Sequence, residues 1–520
     1  VTGVSPSSGP LEGGTAVTIS GTNFENVTGV TIGGGALQSL SVVSSTQLTG
    51  TTPAGPSSGA KDVVVSSSSL GSGTCAGCFS YNPELTVTDV SPSSGPLAGG
   101  TAVTITGTNF ENVTGVTIGG GLLQSLSVVS STQLTGTTPA GGTSGPKSVV
   151  VSSSSHGSGT CTGCFTYTVT WTLLAASGDH TCGLANTVAA YCWGYNSFGQ
   201  LGDGSNTDRT TPVAVAGGVT FASLTAAAGA VHTCGLTSGG LAYCWGHNDS
   251  GAVGDGSNTN RATPVAVAGG ITFASLTAGS LYTCGLTSGG SAYCWGLNYV
   301  GELGDSTTTS RTTPVAVAGG ITFVSLTAGG YHTCGLTSGG EAYCWGWNLY
   351  GQLGDGSTSQ RVTPTAVTGG LTFDRLTAGV WHTCGLTSGG AAYCWGLNAV
   401  GQLGDGSNSN RTSPVAVAGG LTFGGVTAGA NHTCGLTTGG AAYCWGFNAV
   451  GQLGDGSITD RRTPVAVAGG ISFVSVTPGG SHTCGLASGG AAYCWGWNGN
   501  GQLGDGSTAN RTTPVAVRNP

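Results

Sequence analysis

Charge is what this sequence lacks most. Only 6% of its 520 residues are Asp, Glu, Lys or Arg, against about 25% in an ordinary globular protein. Lys61 and Lys147 are its two lysines, ten arginines complete the cations, and the net charge is −8. No basic stripe is present to grip a phosphate backbone, which excludes nucleic acid as a partner. Long apolar runs are missing too. None approaches the ~20 residues of a spanning helix, so no membrane span is expected. Methionine is absent, and the chain starts at Val1 with no export signal. It reads as a mature secreted product or a fragment. Strong helix formers are sparse, whereas glycine takes 100 positions and Ser and Thr stand where Lys and Glu usually do. Such a composition favours strands and turns. A surface this poor in charge repels its own copies weakly and favours association.

What the chain does have is cysteine, 18 of them, in close pairs within strand-and-turn sequence. Structural disulfides in an oxidising, extracellular setting fit that pattern. The chain also has two kinds of internal repeat. "VTGVSPSSGPLEGGTAVTISGTNFENVTGVTIGG" from Val1 returns with few changes from Val87. About seven short alternating strands in each ~85-residue copy predict a β-sandwich. The domains are placed at 1–84 and 85–168. Val4-Ser5-Pro6, Gly13-Gly14, Gly21-Thr22-Asn23-Phe24, Phe79 and Tyr81 resemble the IPT/TIG immunoglobulin-like family. That resemblance implies spacer or adhesion modules of a bacterial-type surface protein. Each copy carries one Cys-X-X-Cys, Cys75 with Cys78 and Cys161 with Cys164. These read as local disulfides. The alternatives are a zinc site shared between the two domains, each supplying half, and redox chemistry, which needs a helix N-terminus to activate the thiol.

From residue 169 to 520 the period becomes about 50, over seven units. The cysteines pair as Cys182 with Cys192, Cys234 with Cys244, Cys284 with Cys294, Cys334 with Cys344, Cys384 with Cys394, Cys434 with Cys444 and Cys484 with Cys494. Units of this size with about four strands predict propeller blades, so the fold class is all-β: two sandwiches, then a seven-bladed propeller. Laying "HTCGLTS" against "AYCWG" around Ser338-Gly339-Gly340 puts Cys334 opposite Cys344, a bond expected once per blade. Trp345 and its equivalents are expected to fill the gaps between blades. Asp355 and Arg361, six apart, recur in every unit; we read the Asp as capping a Gly-Asp-Gly-Ser turn with the Arg bridging to it or to the next blade. A calcium loop is the sharper alternative, but most units lack a second carboxylate. "AGxxHTCGL", "AYCWGxN" and "GQLGDG" resemble the regulator-of-chromosome-condensation repeat family, which implies a seven-bladed propeller. The missing basic tail argues against carrying over the chromatin-binding exchange activity of its founder.

No catalytic constellation stands out. There is no Gly-X-Ser-X-Gly elbow, His-Glu-X-X-His pair or P-loop. His180, His232, His332, His382, His432 and His482 recur one per blade, with Tyr282 in the seventh place. They form a ring rather than a metal cluster, and no metal or cofactor is expected.

Two places in each unit vary from blade to blade. One is the residue before His-Thr-Cys: Asp179, Val231, Leu281, Tyr331, Trp381, Asn431 and Ser481. The other follows Cys-Trp-Gly: Tyr195, His247, Leu297, Trp347, Leu397, Phe447 and Trp497, then pairs such as Ser197-Phe198, Tyr299-Val300 and Leu349-Tyr350. The expected partner-binding face comprises Tyr195, Phe198, His247, Tyr299, Tyr331, Trp347, Tyr350, Trp381, Phe447 and Trp497. The expected function is a non-enzymatic extracellular structural protein that self-assembles head to tail, propeller to sandwich. A monomeric adhesin for a foreign protein or glycan is the alternative, and a carbohydrate-active enzyme a third. The last strand is expected to meet the segment around Trp171 and close the ring within one chain.

Overall fold

The computed structural model describes residues 1–186, 189–226 and 228–520. Val1–Val169 forms one compact unit and Thr170–Pro520 another.

Each sandwich pairs a four-stranded with a five-stranded sheet. In the first copy, Gly3–Ser5, Ala16–Ser20, Gln47–Thr51 and Gln38–Ser44 lie in that spatial order. The nine strands of a copy exceed the seven expected because strands of two and three residues, such as Gly35–Ala36 and Ser8–Pro10, have no readable alternation. Val17 and Ile19 alternate inward from Ala16–Ser20 onto Phe79 and Tyr81. The buried Tyr81 hydroxyl donates to the Pro53 carbonyl at 2.7 Å, and Tyr167 repeats this with Pro139 at 2.6 Å. Cys75 and Cys78 are bonded, as are Cys161 and Cys164. Each bond clips a bulge: the register jumps from Val63↔Cys75 to Lys61↔Phe79, leaving Ala76-Gly77 looped out at the positive φ of Gly77. The bonded cysteines lie in a strand and no helix is present among the described residues, so the requirement for thiol activation is not met.

The second unit is seven four-stranded antiparallel sheets, each made of four consecutive strands. In blade 4 these run Ser325–Ala328, His332–Leu336, Ala342–Gly346 and Arg361–Ala366. The first strands of the blades line a narrow axial channel of about 150 Å³ through Thr277, Thr327 and their equivalents. Their hydroxyls are used between blades, as where Ala328 N–H donates to Thr277 at 3.0 Å. In the blade 4 hairpin Cys334 faces Cys344 across the ladder, and the two are bonded. The other six blades repeat the staple in the same register. Cys182 is bonded to Cys192, Cys234 to Cys244 and Cys284 to Cys294. Cys384 is bonded to Cys394, Cys434 to Cys444 and Cys484 to Cys494.

The tryptophans sit between blades. Trp345 is fully buried, and its indole N–H donates to the Glu302 carbonyl of the preceding blade at 2.9 Å. Gly304, at φ +67°, lies against that indole, where a Cβ would come within 2.7 Å. Glycine is obligatory there on both counts.

Ring closure differs from expectation. The last strand, Arg511–Ala516, pairs with Ala492–Gly496 in its own blade, not with the Trp171 segment. Trp171–Ala176 is instead the innermost strand of blade 1, and Trp171 stands where the other units have Phe. Its N–H donates to Gly490 of blade 7 at 2.9 Å, as Phe323 does to Gly290. Every blade is complete in itself, so closure within the chain rests on blade-to-blade contacts rather than a shared strand.

Candidate partner-binding face

The two diversified positions of each unit are joined by the backbone. Gly346 ends its strand at φ +101°, which turns the chain so that Trp347 N–H donates to the Tyr331 carbonyl at 2.8 Å. The same bond links Tyr195 to Asp179, His247 to Val231, Leu297 to Leu281, Leu397 to Trp381, Phe447 to Asn431 and Trp497 to Ser481. It uses main-chain atoms alone. The side chains at both positions are therefore free to differ while the pair stays at one end of the propeller, opposite the Ser-Gly-Gly hairpins.

The following loop is held by a buried Asn. In blade 4 the Asn348 amide donates to Asp355 Oδ1 and to the carbonyls of Ser357 and Ser359, each at 3.1 Å, while its oxygen accepts Leu353 N–H at 2.9 Å. Asp355 also accepts from the backbone and hydroxyl of Ser357, and from Arg361 Nε at 2.9 Å. Burial alone would raise the Asp355 pKa; the hydrogen bonds from Ser357, Arg361 and Asn348 outweigh it and hold the carboxyl below its usual value. The Arg thus stays within its own loop. In blade 1 the second carboxylate of the expected calcium loop, Asp208, accepts Asn196 N–H at 2.8 Å, a place filled by Asn260 in blade 2. The described residues contain no cluster of acidic, His or Cys side chains suited to a metal.

Four of the ten expected face residues gather into one cluster across blades 4 and 5. Tyr331 stacks on Trp381 with centroids 5.1 Å apart; Trp347 and Tyr350 pack on Trp381 at 6.4 and 5.9 Å. The Trp347 indole N–H has no acceptor among the described residues. Tyr195, Phe198 and His247 form a smaller group across blades 1 and 2, the last two 4.6 Å apart. Phe447 lines a separate hollow with Val400, Ile458 and Arg462. Trp497 is half-buried, and only Tyr299 of the ten is truly exposed, at 73%. The face is a set of separate half-buried groups rather than one continuous patch, because neighbouring rings cover one another. Exposed Leu349 and Ile458 add to it. Ile458 was legible by alignment of the units, since its equivalents are Asn or Thr.

The recurrent histidines lie just beneath this face. His332 Nε2 meets Thr383 Oγ1 of the next blade at 2.8 Å, and that hydroxyl donates to the Gln352 carbonyl. The hydroxyl has one proton, so His332 donates from Nε2 and keeps Nδ1 unprotonated. The link recurs around the ring and closes where His482 meets Thr181 at 2.8 Å. In blade 3 the Tyr282 hydroxyl takes the role, 3.0 Å from Thr333 Oγ1. Burial lowers the pKa of each of the six histidines to about 3. They are neutral structural links between blades.

The RCC1-like domain family matches residues 219–520, regulator of chromosome condensation (RCC1) repeats match 171–200 and 189–236, and IPT/TIG domains match 1–81 and 85–169. The ultraviolet-B receptor UVR8 of Arabidopsis thaliana is 34% identical over 95 residues, 18% of this chain and 22% of that protein. The E3 ubiquitin-protein ligase HERC2 of Homo sapiens is 29% identical over 93 residues, 18% of this chain and 2% of that protein. The matched stretches thus span less than a quarter of either relative. Human WBSCR16 superposes with a TM-score of 0.58 at 20% identity, over 64% of this chain and 94% of that one. Yeast RCC1 (Prp20), in a structure with Kap60, superposes with 0.58 at 23% identity, over 67% and 85%. At these identities the likeness is one of fold.

Proposed function

We propose, from the premise that the chain belongs to the RCC1-like domain family and carries two IPT/TIG domains, that it is a non-enzymatic extracellular structural protein: the self-assembling subunit of a cell-surface filament. The joint is head to tail, with one copy's diversified propeller face seated on the next copy's sandwich. The observation that carries this reading is the edge strand of each sandwich. Gln38–Ser44 and Gln124–Ser130 both read QSLSVVS, lie at a sheet edge and contain no charge. Val43 and Val129 are each 55% exposed there, beside exposed Val42 and Val128. Folded proteins ordinarily protect such edges with Lys, Pro, bulges or a covering segment, because unpaired N–H and C=O groups beside apolar side chains invite another chain; here irregularities interrupt the pairing at Gln38/Ser41 and Val42/Ser44 and at their equivalents, but no charge or Pro stands in either strand. The aromatic groups of the propeller supply a complementary apolar surface, and a contact between two different patches propagates without closing. Nine disulfides, with no free cysteine among the described residues, suit an oxidising exterior.

Electron microscopy of the native protein tests the reading. Uniform filaments with one chain per repeat are expected. Substituting Val42, Val43, Val128 and Val129 with Lys should dissolve them without lowering the melting temperature. Monodisperse particles at tens of micromolar protein, roughly the range of a modest interface, would refute it. The localised Tyr331–Trp381 cluster favours a second reading, a monomeric adhesin, to which such particles would point.

A further inference from the structure

We propose that the hairpin end of the propeller, opposite the diversified face, holds a binding site for a small aliphatic carboxylate. The site is a cavity of about 550 Å³ spanning blades 5, 6 and 7. Pockets for small molecules fall in this size range.

Two departures from the repeat meet there. After the buried Phe that opens each unit, Ser223, Ser275, Ser325 and Ser475 occupy equivalent positions, but blade 5 has Arg375 and blade 6 has Gly425. Gly424 likewise replaces the Ala or Val of blades 2, 3, 4 and 7. The fold does not require these glycines. Neither has a positive φ. A Cβ on Gly425 would meet nothing nearer than Arg375 Nη1 at 3.9 Å, and one on Gly424 would come no closer than 3.4 Å, to Thr438 Cγ2, an ordinary contact. Glycine inside a strand weakens it, and its uses there are a bulge, a tight bend or the close approach of a ligand or another backbone; the lack of a positive φ and the open space at Gly425 leave the approach of a ligand. The walls recede as well: Val426 and Val476 stand where blades 2 to 5 have Leu224, Leu276, Leu326 and Leu376.

The guanidinium that reaches over Gly425 has no ion-pair partner among the described residues, adjacent Asp374 included. Seven of the ten arginines are committed to the loop carboxylates, and Arg375 is not one of them. The same cavity is lined by the aliphatic Val426, Leu436 and Val476 and by the hydroxyl-bearing Thr437, Thr438 and Ser475. An Arg fork beside aliphatic walls matches a carboxylate carrying an aliphatic body. No aromatic platform for a sugar ring is offered, since Phe473 is only 3% exposed and packs on Trp495. Two sources share the required chemistry: a free aliphatic acid, and the C-terminal carboxylate of a peptide ending in an aliphatic residue.

Titration of the full chain tests the site, with sodium octanoate, acetyl-Ala-Ala-Leu bearing a free carboxylate and the amide of that peptide as probes, read by calorimetry and saturation-transfer NMR. Saturable binding of at least one of the two acids is expected, with a dissociation constant below about 1 mM and no binding of the amide. Whichever acid binds more tightly identifies the source. Arg375→Ala should weaken it by about tenfold or more, as befits a lost charged hydrogen bond. Gly425→Leu should abolish binding by filling the cavity, and Gly425→Ala should reduce it should the larger variant fail to fold. Arg518→Ala, at a residue that does not line this cavity, should leave binding of the acids unchanged. Absence of binding by both acids up to 5 mM, roughly the limit of specific affinity, would overturn the proposal. So would undiminished affinity in Arg375→Ala. Filament formation by Arg375→Ala is expected to be normal, so this site and the assembly joint fail or stand separately.

Discussion

Replacing Glu302 with Gln should stabilise the propeller, and the gain should grow as pH rises. Glu302 is fully buried. One carboxyl oxygen accepts Val300 N–H at 3.0 Å; the other has no partner among the described residues. Five sister blades place Gln at this position, and in blade 4 Gln352 accepts Tyr350 N–H in the same way. Burial raises the Glu302 pKa above its ordinary value of 4.5, against the backbone hydrogen bonds that lower it. Below pH 4.5 the carboxyl is neutral in both folded and unfolded chains, so it resembles Gln and the difference between the proteins is small. As pH rises further, the unfolded chain releases the proton and the folded chain retains it. The wild type then loses stability until the folded pKa is passed, by at most about 1.4 kcal/mol per pH unit. From pH 5 to pH 7 that ceiling is roughly 3 kcal/mol. Unfolding entropy of about 2 cal/mol/K per residue over the propeller converts it to at most roughly 4 °C in melting temperature. The assay is paired thermal unfolding of the two proteins between pH 5 and 8 with disulfides intact. Comparison at equal pH cancels the titration of the six histidines, which works in the opposite direction. A Glu302→Gln advantage that stays flat or shrinks with rising pH would refute the reasoning and mean that the carboxylate is charged and compensated.

The double substitution Cys334→Ser and Cys344→Ser should lower stability by about 2–3 kcal/mol from loop entropy, measured by chemical denaturation. Under a limiting reductant the half-buried Cys75–Cys78 and Cys161–Cys164 bonds should open before the seven hairpin bonds, whose cysteines are at most 1% exposed; peptide mapping by mass spectrometry reads the order. Asp355→Ala should cost about 2–3 kcal/mol, because the donors on Asn348, Ser357 and Arg361 lose their acceptor. Arg361→Ala should cost about 1 kcal/mol or less, since that side chain is 40% exposed; both are read as melting shifts. The buried histidines have folded pKa values near 3 against 6.5 in free chains. The unfolded chain therefore binds more protons between these values, and propeller stability should fall steadily as pH drops from 6.5 toward 3, followed by circular dichroism.

Architecture was legible where repetition fixed it. A ten-residue Cys spacing around Ser-Gly-Gly leaves one cross-strand register, and Cys334 stands opposite Cys344. Closure was not legible, because the sequence shows where a unit begins to look alike, not where a sheet begins. Trp171 in place of Phe was the available sign that the first segment is an innermost strand. The ten face residues were found by their variation, but variation carries no depth. Tyr331 and Trp381 bury each other, whereas Tyr299 has no ring beside it among the described residues. The edge valines were missed because QSLSVVS alternates imperfectly and gives no sign of lying at an edge.

A repeat protein supplies its own controls, since equivalent positions meet equivalent surroundings. Departures from the consensus then fall into two kinds. Blade 3 departs at Tyr282, Glu302 and Ser306, the last holding φ +68° where all six other blades have Gly. Tyr282 restores the lost His link through its hydroxyl, so that departure is compensated inside the fold. Arg375 and Gly425 are of the other kind. They sit side by side, restore no hydrogen bond, relieve no clash and leave a cation above a hollow. Selection for folding alone would favour Ser at both positions, as in blades 2, 3, 4 and 7, since a strand glycine costs stability relative to a residue with a side chain. An uncompensated pair of departures meeting at one cavity therefore marks a ligand more strongly than any motif the seven blades share.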